Sequence, residues 1–398
     1  MPYDFTNRAD RRSAGAYKWD DMLRRDPSVP EDVIPLSVAD MELFNPPEVL
    51  EALHALLDEG PLGYTGPTDA FYEACISWQR RRHEWSPERE WIALSPGVVP
   101  AFHNAVRILS EPGDGIIVQP PVYYPFRSAI ERNGRTVVDN PLVLDEDGHH
   151  IDFAGLERLA ADPNNKALLL CSPHNPVGRV WGADELRRLV DICLANDVFI
   201  VSDEIHDDLI MPGHHHTTIA NVLAADELPR VMICTAPSKT FNLAGVQCSV
   251  IYIPDKGVRE SFVAEFDKLA CGNSLNIFAY RACTAAYTRC EGWLDELIGL
   301  IWHNYTALRD MFEQELPGVR VLPLEGTYLM WADFGCWGLA DEELEAFMQR
   351  EARLFLDEGH IFGAGGSGFE RFNLACPTAD IVAAGERLVA AARAHGLA

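Results

Sequence analysis

The stretch TAPSKTFNLAG, residues 235–245, places Lys239 among small neutral residues, directly after the apolar run VMIC at residues 231–234. The run predicts a buried strand, and the stretch that follows predicts a loop at its carboxyl end. Burying an unpaired ammonium group is unfavourable, so this lysine either extends to solvent or has its amine used in chemistry. By itself, the stretch leaves both interpretations open.

Apolar runs of this kind alternate with longer amphipathic stretches through the middle of the chain. They are GIIVQ, KALLLC, VFIVS, RVMIC and CSVIYI, at residues 115–119, 166–171, 198–202, 230–234 and 248–253. The alternation predicts a mostly parallel sheet covered by helices on both faces. After residue 291 the pattern changes to long helical stretches (293–316 and 340–359) and short strands (319–324, 327–334 and 371–375), which predicts a second, α+β domain.

The composition limits the classes of function. The chain has 398 residues, is 47% hydrophobic and carries a net charge of -27, which disfavours nucleic acid or an anionic membrane as a partner. Its ten cysteines are scattered singly, as is typical of a reducing compartment. We find neither the apolar region of a signal peptide near the first residues nor an apolar window long enough for a membrane span, so the expected location is cytoplasmic.

Two further polar residues follow predicted strands. Asp203 ends the run VFIVS-D, and Asn175 lies in the turn after KALLLC. Each has an ordinary alternative, since aspartate often caps a turn and Asn-Pro often forms one. Together with Lys239 they supply what pyridoxal phosphate requires: an amine for a Schiff base, an acid beside the pyridine nitrogen and a donor to the phenolic oxygen.

Two more stretches fit the same cofactor. Gly97, Val98 and Val99 open a predicted helix, where backbone N–H groups and the helix dipole favour a phosphate group. Tyr123, in PPVYYPF, supplies an aromatic ring that can lie on the cofactor face. No single one of these features is specific, but their order along the chain and their positions relative to the strands are consistent with one site.

The chain resembles the fold-type I pyridoxal-phosphate enzymes of the class I/II aminotransferase superfamily, and within them the cystathionine β-lyase branch, the MalY/PatB type of carbon–sulfur lyase. The stretches that carry this resemblance span residues 38–377: VADMELFNPPEVLEAL, GYTGPTDAFYEA, LSPGVVPAF, QPPVYYPF, CSPHNPVGRVW, VSDEIHDDLI, APSKTFNLAGVQ, EGWLDEL and GSGFERFNLACP. The resemblance implies an aspartate aminotransferase-like α/β fold. It implies a large doubly wound domain over residues 48–290 and a small domain formed by residues 1–47 and 291–398.

The resemblance also implies roles for individual residues. Lys239 matches the Schiff-base lysine, Asp203 the partner of the pyridinium nitrogen and Asn175 the donor to the ring oxygen O3′. Tyr123 matches the aromatic residue stacked on the cofactor, and both Tyr123 and Asn175 border the substrate. Arg371, in FERFN, matches the arginine that binds the substrate α-carboxylate, although the pattern alone favours a surface arginine on an edge strand.

Other matched positions concern the cofactor phosphate and the second subunit. His206 stands where many aminotransferases carry tyrosine, and Ser238 matches a phosphate ligand. Tyr64, in GYTG, matches a residue that reaches the substrate and cofactor phosphate of the neighbouring subunit, which implies a homodimer with shared sites. Gln247 replaces the arginine that many aminotransferases place eight residues after the lysine, as is usual in the lyase branch.

Some positions depart from the family pattern or imitate other sites. Glu42 replaces the usual aspartate, and residues 270–279 match only loosely, so both are candidates for lining the substrate pocket. The stretch GAGGSG at residues 363–368 fits a dinucleotide-binding motif, but a predicted strand follows it instead of a helix. His214, His215 and His216 are adjacent in a loop with no supporting cluster, so no metal is expected.

The expected reaction is α,β-elimination on cystathionine or a related cysteine S-conjugate, giving a thiol, pyruvate and ammonia. An aminotransferase is the first alternative, because the two reactions share every step up to the carbanion at Cα. A regulatory protein with residual lyase activity is the second, since some members of the branch are thought to bind a transcription regulator. Lys239 and Asp203 argue against a purely non-catalytic role.

Overall fold

The computed structural model of the protein describes residues 3–269 and 274–398. Within these residues the α-helices are α1 Tyr17–Arg25, α2 Pro47–Glu59, α3 Asp69–His83, α4 Val98–Leu109, α5 Pro125–Glu131, α6 Phe153–Ala160, α7 Ala183–Ala195, α8 Pro237–Thr240, α9 Lys256–Asp267, α10 Ile277–Arg289, α11 Glu291–Glu315, α12 Asp341–Arg350 and α13 Thr378–Ala394. The strands are β1 Ile34–Pro35, β2 Ile92–Ser95, β3 Gly115–Val118, β4 Thr136–Asp139, β5 Val143–Leu144, β6 His149–His150, β7 Asn165–Cys171, β8 Phe199–Asp203, β9 Val231–Thr235, β10 Ser249–Tyr252, β11 Arg320–Val321, β12 Leu329–Asp333, β13 Leu354–Phe355, β14 Asp357–Glu358 and β15 Phe369–Asn373.

The centre of the protein is a seven-stranded sheet in the order β2-β10-β9-β8-β7-β3-β4. Strands β9, β8, β7, β3 and β4 are parallel, and β10 is antiparallel to both of its neighbours. This confirms the predicted α/β fold with a mostly parallel sheet. The antiparallel direction of β10 could not be read from its apolar run, because the run looks the same in either direction.

The sheet is buried on both faces, and the strand sequences show why. In β7, Leu168 and Leu170 pack with Leu189 of α7 in one core cluster, whereas Leu169 packs with Phe102 of α4 in the other. Successive side chains of a strand point to opposite faces, so a strand covered on both sides must be apolar at every position. The run ALLL in β7 meets that requirement.

The second region is built around the antiparallel sheet β11-β12-β15-β14; α11 contacts β11, and α13 packs against α11. Strand β1 pairs in parallel with β13, so the beginning of the chain joins this region. The division at residues 47/48 and 290/291 stays a prediction. Among the described residues, none of the helices combines the length and the apolar character that crossing a membrane requires.

One predicted element is shorter than expected. The helical pattern of residues 340–359 is helical only in α12, Asp341–Arg350, and then gives way to β13 and β14. Arg353 adopts a left-handed conformation with φ of 55°, which an α-helix cannot continue through. Leu354 and Phe355 are buried by pairing with β1, so tertiary contacts override the local helical preference.

The strand predicted after the glycine-rich stretch 363–368 is confirmed as β15, Phe369–Asn373. The dinucleotide motif therefore lacks the helix that would hold a pyrophosphate group.

Candidate active site

A cavity of about 160 Å³ lies at the carboxyl ends of β7, β8 and β9. Parallel neighbouring strands end at the same edge of a sheet, so the residues that follow them meet there. Of the residues predicted for the site, those that line the cavity are Gly97, Val98, Val99, Tyr123, Asn175, Asp203, His206, Ser238 and Lys239. The fold therefore brings most of the predicted site residues to one cavity.

Lys239 lies on the short helix α8, just beyond the end of β9. Its Nζ donates a hydrogen bond to the backbone carbonyl of Ala39 at 2.6 Å. Burial lowers the pKa of Lys239 to about 8, although the nearby carboxylate of Asp40 acts in the opposite direction. The amine is therefore available as a nucleophile and a base at pH values where an exposed lysine is charged.

Asp203 is the last residue of β8, and its carboxylate is buried. Burial raises the pKa of Asp203 to about 7, despite a hydrogen bond that its Oδ1 accepts from the Ile205 N–H at 3.2 Å and the charge of Lys239. A buried carboxylate with a raised pKa favours a positively charged partner, because such a partner stabilises its ionised form.

Asn175 connects the cavity to Arg371. Arg371 is buried on β15, an interior strand between β12 and β14, so the edge-strand interpretation was wrong. Its Nη1 donates to Asn175 Oδ1 at 2.8 Å, and its Nη2 pairs with the carboxylate of Asp357. Its guanidinium also lies over the ring of Phe362 at 4.8 Å. Since Asn175 Oδ1 accepts from Arg371, the amide NH₂ remains available as a hydrogen-bond donor.

The part of the cavity next to the start of α4 is suited to an anion. Helix α4 begins at Val98, after Gly97, and the first N–H groups of a helix have no partner within it. The N–H groups of Val98 and Val99 thus meet the hydroxyl-bearing Ser238 at the same cavity. Gln247 lines the cavity too, at the position where many aminotransferases carry an arginine.

His206 and Tyr123 complete the cavity wall. Burial lowers the pKa of His206 well below its usual value, and the charges of Lys239 and Arg371 act in the same direction. Its ring packs edge-on against Tyr328 at 5.7 Å. His206 is therefore a neutral imidazole at neutral pH.

Three predicted positions lie elsewhere. Tyr64 is fully exposed on the single chain and does not line the cavity. Glu42 is buried in an ion pair with Lys18, 3.1 Å from its Nζ, and does not line the cavity of the single chain, so its place in the substrate pocket stays a prediction. Residues 270–273 of the loosely matched region lie outside the described residues, and residues 274–279 do not line the cavity.

Sequence reasoning missed three contributors to the site. The Ala39 carbonyl holds the Lys239 amine, Asp357 pairs with Arg371, and Cys248 lines the cavity beside Gln247. Ala39 lies in the matched stretch VADMEL, which could have indicated its proximity. Asp357 lies within a stretch that reads as helix, so no local signal indicates its role.

The doubly wound sheet and the cavity around Lys239 define an α/β enzyme whose chemistry depends on a lysine amine. Its residues 31–388 match the sequence model for aminotransferase class I and II. The chain belongs to that family.

Individual relatives are similar over nearly the whole chain. Cystathionine β-lyase PatB of Bacillus subtilis is 41% identical over 379 residues, covering 95% of this chain and 97% of that protein. Protein MalY of Escherichia coli is 30% identical, covering 98% of this chain and 99% of that protein. The crystal structure of cystalysin from Treponema denticola, which contains pyridoxal 5'-phosphate, is 45% identical with a TM-score of 0.97, covering 99% of this chain and 100% of that one.

The lowered pKa of Lys239 is testable in the cofactor-free protein. Reductive methylation with ¹³C-formaldehyde, followed by NMR titration, should show an amine that titrates near pH 8, because burial favours the neutral form. The signal should be missing in Lys239→Ala, and the exposed Lys256 serves as the reference. Titration of Lys239 near 10.5, the ordinary pKa of a lysine, would show that the amine is not desolvated.

Proposed function

We propose that the protein is a pyridoxal-phosphate-dependent carbon–sulfur lyase that cleaves cystathionine or a related cysteine S-conjugate to a thiol, pyruvate and ammonia. The observation that carries the proposal is the convergence of Lys239, Asp203 and Asn175 on one cavity, in a chain 41% identical to a cystathionine β-lyase over 95% of its length.

The donor set of the cavity fits pyridoxal phosphate. When bound, this cofactor supplies an aldehyde that condenses with amines and a pyridine ring that accepts an electron pair from a substrate carbon. The Lys239 amine would hold the aldehyde carbon, and the Asp203 carboxylate would face the protonated ring nitrogen. The Asn175 amide would donate to O3′, and Tyr123 would lie over a face of the ring. His206 would form part of the cavity wall around the ring.

The phosphate group would bind at the other end of the cavity. The N–H groups of Val98 and Val99, next to Gly97 at the start of α4, and the hydroxyl of Ser238 are the donors that support this placement. Gln247 would contribute a neutral amide there in place of an arginine. Fewer positive charges would then face the phosphate than in aminotransferases that carry the arginine.

The substrate side of the site rests on Arg371 and Lys239. Arg371 would bind the α-carboxylate through its guanidinium, whose orientation is set by Asn175 and Asp357. Once its amine is free, Lys239 would take the proton from Cα, since burial lowers its pKa to about 8 and so makes the neutral amine available near that pH. A thiolate then leaves Cβ, and hydrolysis of the remaining fragment gives pyruvate and ammonia.

Lyase and aminotransferase differ after the Cα proton is removed. With L-cystathionine and no 2-oxo acid, we expect pyruvate, ammonia and homocysteine to form in equal amounts through many turnovers. Lactate dehydrogenase coupling measures the pyruvate, and a thiol reagent measures the homocysteine. Lys239→Ala is the control and should produce neither.

An aminotransferase would give a different result in the same experiment. Turnover would stop after one equivalent and resume only when a 2-oxo acid is added. That outcome would overturn the lyase assignment while leaving the family and the cofactor site unaffected.

The role of Arg371 predicts a specific kinetic defect. Arg371→Lys keeps the charge but loses the bidentate geometry, a charge-assisted contact of about 1.5–3 kcal/mol. We expect kcat/KM for L-cystathionine to fall about ten- to a hundredfold while the visible absorbance of the bound cofactor is retained. The matched control is Arg353→Lys, whose exposed side chain pairs with Asp32. Unchanged kinetics in Arg371→Lys would show that another group binds the carboxylate.

We also propose a cytoplasmic homodimer in which residues 48–290 form the cofactor-binding domain and both chain ends form the small one. The described cysteines are free thiols, which is consistent with a reducing compartment. Large apolar side chains are exposed at Phe44, Leu50, Leu57, Leu62 and Tyr64. Phe44 and Leu50 line a groove with Ala244, which also lines the Lys239 cavity, so this apolar surface borders the site.

A shared site predicts complementation between inactive variants. Mixing Lys239→Ala with Tyr64→Ala should restore about a quarter of the wild-type activity after subunit exchange, because half of the dimers are hybrids with one intact site. Mixing Lys239→Ala with Asp203→Ala is the control, since both residues belong to the same chain's cavity. No recovery with Tyr64→Ala, after exchange is demonstrated by mass spectrometry, would mean that Tyr64 serves its own chain or no site.

A further inference from the structure

A second cavity, of about 310 Å³, lies beside the segment that follows β8. Asp203 at the end of β8 and His206 in this segment line the Lys239 cavity, whereas Asp207 and Asp208 line the second one. His83, the last residue of α3, reaches the same place. The two cavities thus share one short stretch of chain.

His83, Asp207 and Asp208 bring three potential ligand atoms together. His83 Nε2 lies 2.9 Å from Asp208 Oδ1 and 3.3 Å from Asp207 Oδ2. The ligand atoms of the three residues all lie within 4.8 Å of one another, and each side chain is buried. Atoms at these separations can each approach a single ion at about 2.0–2.2 Å after small adjustments.

Buried carboxylates outnumber buried imidazoles around this cavity. The buried carboxylates are those of Glu204, Asp207 and Asp208, and the buried imidazoles are those of His83 and His216. Carboxylate oxygens and imidazole nitrogens are the donor atoms that a divalent first-row metal ion binds.

The arginines that line the cavity are engaged by other carboxylates. Arg82 lies 3.1 Å from Asp295 and 3.4 Å from Glu291, and Arg81 lies 3.7 Å from Glu291. Their charges therefore compensate the rim of the cavity more than the buried cluster. The cavity leaves space for a further cation next to Asp207 and Asp208.

His216 provides a separate indication of a polar ligand. It is buried in the wall of this cavity, and its Nε2 lies 3.2 Å from Glu204 Oε2. Its Nδ1 is also buried and has no hydrogen-bond partner among the described residues. A buried polar atom of this kind requires a water molecule or a ligand. His214 and His215, by contrast, are exposed at the rim.

We propose that His83, Asp207 and Asp208 bind one divalent transition-metal cation of the Zn²⁺ type, with water molecules from the cavity completing its coordination. One imidazole and two carboxylates suit Zn²⁺ and its first-row neighbours better than Ca²⁺ or Mg²⁺, which prefer oxygen ligands only. The tandem histidines found in the sequence thus mark the entrance of a site whose ligands lie elsewhere in the chain. The site does not depend on the proposed lyase function.

The ion would stabilise the contacts that hold the helix α8, which carries Lys239. Asp208 Oδ2 accepts a hydrogen bond from the hydroxyl of Thr240 at 2.7 Å, and Thr240 is the residue after Lys239. Asp208 Oδ1 also accepts from the indole N–H of Trp78 at 3.0 Å. A cation on this carboxylate would therefore connect α3, the segment after β8 and the helix that carries Lys239.

Zn²⁺ binding to the full-length, cofactor-saturated protein is the direct test, measured by isothermal titration calorimetry. We expect one ion per chain with micromolar or tighter affinity. His83→Gln and Asp207→Asn should each weaken binding at least about a hundredfold. The double variant His214→Ala/His215→Ala is the matched control, because it removes only the exposed histidines, and it should bind as the unmodified chain does.

X-ray absorption of the Zn²⁺-loaded unmodified chain gives a second measurement that does not require the variants to fold. It should show imidazole nitrogen and carboxylate oxygen around the ion and no sulfur. Three results would overturn the proposal: no binding by the unmodified chain, binding lost only in the His214/His215 double variant, or ligation by sulfur from a cysteine such as the exposed Cys336.

Discussion

The parallel pairing of β7, β8 and β9 places three chain segments at one edge of the central sheet, and the active-site cavity depends on this arrangement. Each strand is buried, so polar residues at its carboxyl end or shortly beyond it lie at the edge, where space remains. Asn175, Asp203 and Lys239 occupy such positions. The sheet thus serves as a rigid frame that brings an amide, a carboxylate and an amine together.

Burial of these groups changes their chemistry as well as their position. The same desolvation that raises the pKa of Asp203 to about 7 lowers that of Lys239 to about 8, so the charged form of each group is less favoured than in water. A cofactor with a cationic ring nitrogen and an aldehyde fits such a pair, because the first group stabilises a positive charge and the second supplies a neutral amine. The unusual protonation equilibria are therefore a property of the site before any ligand binds.

The region around the antiparallel sheet supplies Arg371, which the central sheet does not carry. Arg371 lies on β15, and its guanidinium is held between Asn175 and Asp357 before any substrate carboxylate arrives. Asp357 also accepts a hydrogen bond from the Val38 N–H at 2.8 Å, next to the segment whose Ala39 carbonyl holds Lys239. Contacts of this kind join the two regions around the cavity, so a relative movement of the regions would change the substrate side of the site.

The sequence alone predicted strands β3, β7, β8, β9 and β10, the mostly parallel sheet and the positions of Lys239, Asp203 and Asn175, because apolar runs and the residues near their ends are local features. Tertiary structure decided the rest. Arg371 meets Asn175 across 196 residues of chain, and His83 meets Asp208 across 125. Glu42 pairs with Lys18, and β13 and β14 form because β1 and β15 pair with them. Such contacts depend on where distant segments pack, which no local pattern of residues records.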